Sequence, residues 1–496
     1  MNVKAALIIT AVLSLTAAFL VYGSPDSDGS ETVPDGTVYT YETHGSGHPN
    51  YYCIITGAEG SADLVYVPAV LEGYDVRGIS SHAFDGCGMA EVVVPSVIES
   101  IDAGAFSGCT GLKDAYFLGD RPDMDGAFAE GVTLHVLPGK QGWKYEEAIT
   151  TAYGAGIDYA LMPDGWMVMG GAPADGVLDI KPEFAGYRVT SIAPYAFSGT
   201  MRSTGEVDRR TDIRVADLPD TVVSVRERAF YYCDVENVSF PSSLRYIHDE
   251  AFRAAEHLVS VELNDGLEFI GFEAFRECDS ILYMEIPDSV SHAGQGCFKW
   301  CDGMASATVG RGIDSIPAEM FFYCRALESV AIPEGIAGIG VQAFSTCISL
   351  RGVDLPDSVR SIGDEAFRGC TVLSGPGLGG AERIGQSAFR DCKNLGTFAL
   401  PASVSVMRGY CFADCGSITM KAQGECPEVS ESAFINTDAT VRCPAEYAAS
   451  WSELEGVTVI QDDGEGGSRI AWVAAVIAVA IVVMSIVVYV SKRQRR

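Results

Sequence analysis

An apolar residue, three variable positions and then Ala-Phe form a spacing that recurs along this chain. It places Phe84, Phe106 and Phe128, then Phe197, Phe230, Phe252, Phe275, Phe298, Phe321, Phe344, Phe367, Phe389, Phe412 and Phe434. From Phe230 onward every step is 22 or 23 residues. The apolar residue four before the Ala slot is Ile79, Ile101, Ile247, Ile270, Ile339, Ile362 or Ile384 in successive copies. Cys follows three after Phe, then Leu, then a short alternating segment such as Val330-Ala331-Ile332 or Val353-Asp354-Leu355, closed by Pro333 or Pro356. The alternating triplet has the two-residue period of a strand. Pro after it removes no ladder hydrogen bond. The I-x-x-x-A-F spacing puts Ile and Ala on one side of a helical turn with Phe beside them. One such unit buries little alone, so stacking into a parallel β-ladder with a continuous core is the expected outcome.

The unit resembles the BspA-like (Treponema-type) leucine-rich repeats, whose pattern reads I-x-x-x-A-F-x-x-C-x-x-L-x-x-V-x-L-P-x-S-V. Ile339, Ala343, Phe344, Cys347, Leu350, Val353, Leu355, Pro356, Ser358 and Val359 match it position by position. The resemblance covers roughly 50–137 and 165–445, with departures at Cys297, Met320 and Cys411 in the Ala slot and at Gly375-Pro376-Gly377 in a strand slot. It implies a leucine-rich-repeat solenoid, a parallel β-ladder with short helical turns. It also implies a surface protein that attaches to host proteins or other cells.

Two blocks are expected. Gly73-Tyr74-Asp75-Val76 and Gly186-Tyr187-Arg188-Val189 stand at an offset of 113, as do Ile55 and Val168 upstream of them. Each pair marks a capping hairpin over the first rung's open edge. The blocks are placed at 50–158 and 159–460, with polar spacers at 24–49 and 461–469 and short helices near Tyr145 and Tyr447. The 69 residues from Phe128 to Phe197 equal three repeats of 23, which leaves one continuous, degenerate solenoid as the alternative.

Two longer apolar runs set the expected topology. Residues 1–23, with Lys4 ahead of an apolar stretch, read as a signal peptide, an uncleaved anchor being the alternative. Ile470 to Val490 contains no charge and would span ~31 Å as a helix, enough for a membrane core. The basic residues of 491–496 follow, so the tail is expected inside and the repeats outside a cell membrane crossed once.

The chain carries 34 basic and 66 acidic residues, a net charge of −32. Such a surface repels phosphate backbones and disfavours nucleic-acid partners. It suits solubility outside the cell, or attraction to basic partners or divalent cations.

Ten of the fifteen Cys occupy one repeat slot that also accepts Ala255 and Thr200, so they read as small buried side chains rather than a disulfide framework. Cys426 and Cys443 lie off that slot and are a candidate disulfide. There is no C-x-x-C, and the seven His are scattered, which gives neither a zinc set nor a hydrolase constellation. The formal G-x-G-x-x-G at Gly375–Gly380 lacks a βαβ context. No catalytic residue, metal or cofactor is assigned, and the chain reads as a binding protein rather than an enzyme. Outward strand positions are the candidate partner-binding stripe: Tyr116, Glu262, Tyr283, Glu285, Thr308 and Asp354, with proteins or surface structures of other cells or a host as partners. A surface-structural role without a dedicated ligand is the alternative. Asn237-Val238-Ser239 is the one glycosylation sequon.

Overall fold

The computed structural model describes residues 28–45, 51–143, 146–154, 156–173, 175–184, 186–201 and 206–462. The expected signal peptide, the apolar run 470–490 and the basic tail lie outside these residues, as does Tyr145 itself; beside it the expected helix is replaced by a short strand, Glu147–Ala148, which pairs in parallel with His135–Val136. Among the described residues no helix is long and apolar enough to cross a membrane.

The repeats stack into a β-solenoid with parallel, in-register ladders. Tyr283–Glu285 pairs with Ser306–Thr308, and that strand pairs with Ser329–Ala331. Alternation decides the faces: Met284 and Ala307 are buried while Glu285 and Thr308 are exposed. A second ladder runs through the Ile slot, where Ser224–Val225, Tyr246–Ile247, Phe269–Ile270 and His292–Ala293 pair in parallel.

That second ladder replaces the expected helical turn. The residue two before Phe and the residue two after it have left-handed backbone, as at Glu250 (φ 53°), Ala254 (φ 57°), Gln342 (φ 55°) and Thr346 (φ 65°). An α-helix cannot run through such positions. The amides instead bond between rungs: Phe230 N–H donates to Ala251 O at 2.7 Å, and Phe252 N–H to Ala274 O at 2.8 Å. Among the described residues the one α-helix is Ala448–Ser452, which begins after Tyr447.

Inside, the Phe rings stack face to face from Phe197 to Phe434. Examples are Phe230–Phe252 with centroids 5.1 Å apart and Phe344–Phe367 with centroids 5.2 Å apart. From Cys278 to Cys415 the slot thiol bonds back to the preceding turn: Cys347 Sγ–H donates to Phe321 O and Cys370 Sγ–H to Phe344 O, both at 3.1 Å. Where the slot holds Thr437, its hydroxyl donates to Phe412 O at 2.6 Å. The slot therefore needs a small side chain, as Ala255 shows, and Cys or Thr there adds a bond to the preceding turn.

A capping arrangement occurs twice along the chain, at the start of each expected block. In the first, β1 (Asp28–Thr32), β2 (Val38–His44) and β3 (Tyr52–Glu59) form an antiparallel cap. After β4 (Leu64–Tyr66), a hairpin of β5 (Val70–Leu71) and β6 (Tyr74–Ile79) follows, and β3 pairs with β6 in parallel, with a slip between Cys53 and Ile54. The second block repeats this: Ile157–Met162 and Gly165–Gly171 form a hairpin, and the latter pairs with Tyr187–Ile192 with a slip between Trp166 and Met167. Residues 28–44, read from sequence as spacer, are thus cap strands. Polar residues alternate with Tyr39 and Tyr41, which are buried against the first rung. The second block also begins earlier than expected, because Thr151–Gly154 already pairs with its hairpin. At the far end the last strand, Val457–Asp462, takes in Gln461 and Asp462 of the expected spacer.

The blocks are docked on each other. Val93, Leu118 and Leu137 of the first share an apolar cluster with the second. The Arg226 guanidinium lies 3.5 Å from the Tyr66 ring centroid, and the Tyr66 hydroxyl donates to Asp164 at 2.7 Å.

Candidate protein-binding face

The outward row of the second block is built by the ladder itself. Because the strands are parallel and in register, residues one repeat apart stand side by side at ~4.8 Å. Glu285 opposes Thr308, and Tyr283 opposes Ser306. Ser260 bridges to Asn237, which puts Glu262 beside Ser239, and Asp354 bridges to Gly377. Glu262, Glu285, Thr308 and Asp354 are all exposed, so four of the sequence-derived stripe residues share one column. Tyr283 projects from the neighbouring column at 67% exposure. That column is uncharged over several rungs, running Asn237, Ser260, Tyr283, Ser306 and Ser329.

Two further residues belong to this face and were not singled out from sequence. Val259 and Leu282 occupy equivalent positions just before their strands and are 48% and 54% exposed. Later repeats carry Ala305, Glu328 and Arg351 there, so a register alignment of the repeats would have marked Val259 and Leu282 as the two large apolar residues among them. With Tyr283 they form an apolar spot beside the acidic column, the composition of an anchor with a polar rim.

Tyr116 is not part of this row. It is half-buried in the first block, stacked on His135 at 4.5 Å and packed toward the second block's core. Burial, with Glu91 and Asp114 nearby, pushes its phenol up to about 12.

Cys426 and Cys443 are separate thiols rather than a disulfide. Cys443 points inward from the strand Thr437–Pro444, while half-buried Cys426 precedes Glu428–Val429, where its amide donates to Ser450 Oγ at 3.1 Å. The other Cys are also free thiols, and burial pushes Cys370 up to about 12. Asn237 is exposed on its strand. Among the described residues no three His, Cys, Asp or Glu side chains converge as a metal set. A cavity of about 160 Å³ lies between the blocks, walled by Leu64, Tyr66 and Pro68 on one side and Ser191, Ser224 and Tyr246 on the other.

The sequence matches the family described as BspA type leucine rich repeat region, in six copies, over residues 74–121, 184–305, 223–349 and 314–440. Among solved structures, the leucine-rich repeat protein of T. pallidum is 25% identical, covering 40% of this chain and 91% of its own, with a TM-score of 0.36. The pneumococcal vaccine antigen PcpA is 13% identical, covering 88% and 99%, with a TM-score of 0.35. A leucine rich cell surface protein from Faecalibacterium prausnitzii is 20% identical, covering 90% and 98%, with a TM-score of 0.29. TM-scores this low carry no argument of their own. Among curated proteins none matches.

Proposed function

The chain belongs to the BspA type leucine rich repeat family, and on that premise we propose that it is a cell-surface binding protein, anchored in the membrane, that attaches to proteins of other cells or a host. Leucine-rich repeats bind partners along a regular sheet face. The observation that carries the reading is the in-register column of Glu262, Glu285, Thr308 and Asp354 with Tyr283 and Leu282 beside it. An acidic column next to an apolar anchor suits a protein partner with basic side chains around an apolar pocket. Residues 1–23 would direct export, and 470–490 would hold the repeats outside the cell with 491–496 inside. Asn237 remains a candidate glycosylation site on the same face.

The test is saturable binding of residues 24–469 to surface-protein fractions, repeated with Tyr283→Ala combined with Glu285→Lys. Loss of at least tenfold in affinity with unchanged circular dichroism supports the reading. Saturable binding that the double variant leaves intact removes this face from it. Absence of saturable binding together with dense regular packing on the cell would favour a surface-structural role.

A further inference from the structure

Beyond the exposed face, the contact between the blocks holds a buried charge arrangement. The β5–β6 hairpin turns through Glu72 (φ 45°) and Gly73 (φ 85°), and its tip is pressed into the second block. There the Glu72 amide lies 3.0 Å from Glu31 Oε2 and 3.1 Å from Asp249 Oδ2. Two carboxylate oxygens from distant parts of the chain converge on a single N–H. Asp249 is buried, and its other oxygen accepts the Phe272 amide at 2.8 Å. Glu31 and Glu72 are half-buried, and Glu72 Oε2 accepts the Tyr41 hydroxyl at 2.7 Å.

The charges that face this group do not balance it. From the first block come Glu31, Glu72 and Asp75; from the second come Glu227, Asp249 and Glu250, against Arg226, Arg228 and His248. Arg228 is spent on Asp75 and Glu250, which it meets through both edges of its guanidinium. His248 faces Glu227 at 3.4 Å. The Arg226 guanidinium lies over Tyr66. No cation stands within 4.0 Å of the Glu31, Glu72 or Asp249 carboxylates among the described residues. Two ionised carboxylates that accept the same N–H in a poorly solvated contact repel each other, whereas one proton held between them relieves that repulsion.

We infer that Glu31 and Asp249 share a proton, and that this proton holds the first block against the second. Burial raises both carboxyls well above their ordinary range; Asp249 then raises Glu31 further, while Asp249, partly relieved by the Phe272 amide, is raised by Glu227, Glu250 and Glu72. Carboxyls raised in the docked state bind a proton that the undocked state releases, so docking is tightest at mildly acid pH and loosens as pH rises through the raised values. A chain moving from an acid niche to an alkaline one would release the β5–β6 hairpin and open the cavity between blocks. The inference is independent of what the exposed face binds.

The experiment is hydrogen exchange of the intact chain, in EDTA, from pH 6 to 9, corrected for intrinsic rates. Protection of the Glu72 amide falls by about tenfold or more across that range, while the Phe344 amide, deep in the array, stays constant. Asp249→Asn keeps an acceptor for Phe272 N–H and removes the shared proton, so its Glu72 protection is independent of pH. Glu31→Gln gives the same flat profile and serves if the first variant misfolds. A flat profile in the natural protein, or an undiminished slope in both variants, overturns the inference. So does a slope that appears only when millimolar calcium replaces EDTA, which would assign the contact to a cation.

Discussion

Gly73 and Phe272, 199 positions apart in the chain, approach so closely that a Cβ on Gly73 would lie 2.7 Å from Phe272 Cε1. Its counterpart one block later, Gly186, has the same left-handed backbone (φ 87°) but nothing within 4 Å of its hypothetical Cβ. The pair separates two costs. Gly186→Ala carries the conformational strain alone, about 1 kcal/mol. Gly73→Ala carries that strain and a clash with an aromatic ring, so it should cost about 1–3 kcal/mol more. Chemical denaturation of both variants checks this. Equal losses would mean that the hairpin tip is not held against the second block in solution.

Arg228 is the hinge pin of the same contact. It donates to Glu250 at 3.0 and 3.1 Å and to Gly73 O at 3.1 Å, and it pairs with Asp75. Glu250 is fully buried. Burial opposes its ionisation, yet Arg228 and Arg253 hold it below the usual carboxylate range. A carboxyl lowered in the folded state contributes stability above its unfolded pKa and loses it as pH falls through the folded value. Arg228→Met removes half of that support and leaves a buried carboxylate short of a partner, at a cost of about 3–5 kcal/mol near neutral pH. Glu250 can then neutralise, so the defect shrinks toward pH 5. Thermal unfolding at pH 7.5 and 5 reads this, and a defect that grows on acidification would contradict it.

The slot thiols act as donors. Cys347→Thr keeps a donor of the kind Thr437 already supplies, whereas Cys347→Val keeps the shape and loses it. Phe321 O retains the Cys324 amide at 3.2 Å, so the difference between variants is one bond, about 1 kcal/mol in favour of Thr. Equal stabilities would reduce the slot to a matter of size.

Thiol labelling follows from burial. Raised thiols buried in the stack offer little thiolate at pH 8. Iodoacetamide therefore modifies Cys426, the half-buried member, ahead of Cys347 and Cys370, which react only on unfolding. Mass spectrometry of partially labelled chain gives the order.

The repeat was legible because it is periodic. Ile339, Phe344, Cys347 and Val353 each recur at a fixed step, so the rung, its core and its outward column at Glu262, Glu285, Thr308 and Asp354 could be placed before any coordinates. What periodicity cannot carry was lost. The Ile-to-Phe segment matches a helical spacing, and nothing in the residue names discloses the left-handed backbone at Glu250 and Ala254 that sends its amides to the next rung. The cap strand holding Tyr39 and Tyr41 hides among Thr and Glu, whose composition suggests a spacer. The docking of Glu72 on Asp249 joins residues 177 apart with no repeated mark. Tyr116 stands apart from the outward column, half-buried and stacked on His135 in the first block.

The hairpin clasp also makes the molecule directional. A stacked array ordinarily can unravel from either extremity, because each rung touches only its neighbours. Here the rungs bearing Tyr195, Arg228 and Asp249 are gripped from the side by the β5–β6 hairpin. Among the described residues Val457–Asp462, at the other end of the array, pairs with one strand alone. Under heat or tension the array would peel from that free edge inward, and the clasped rungs would be the last to go.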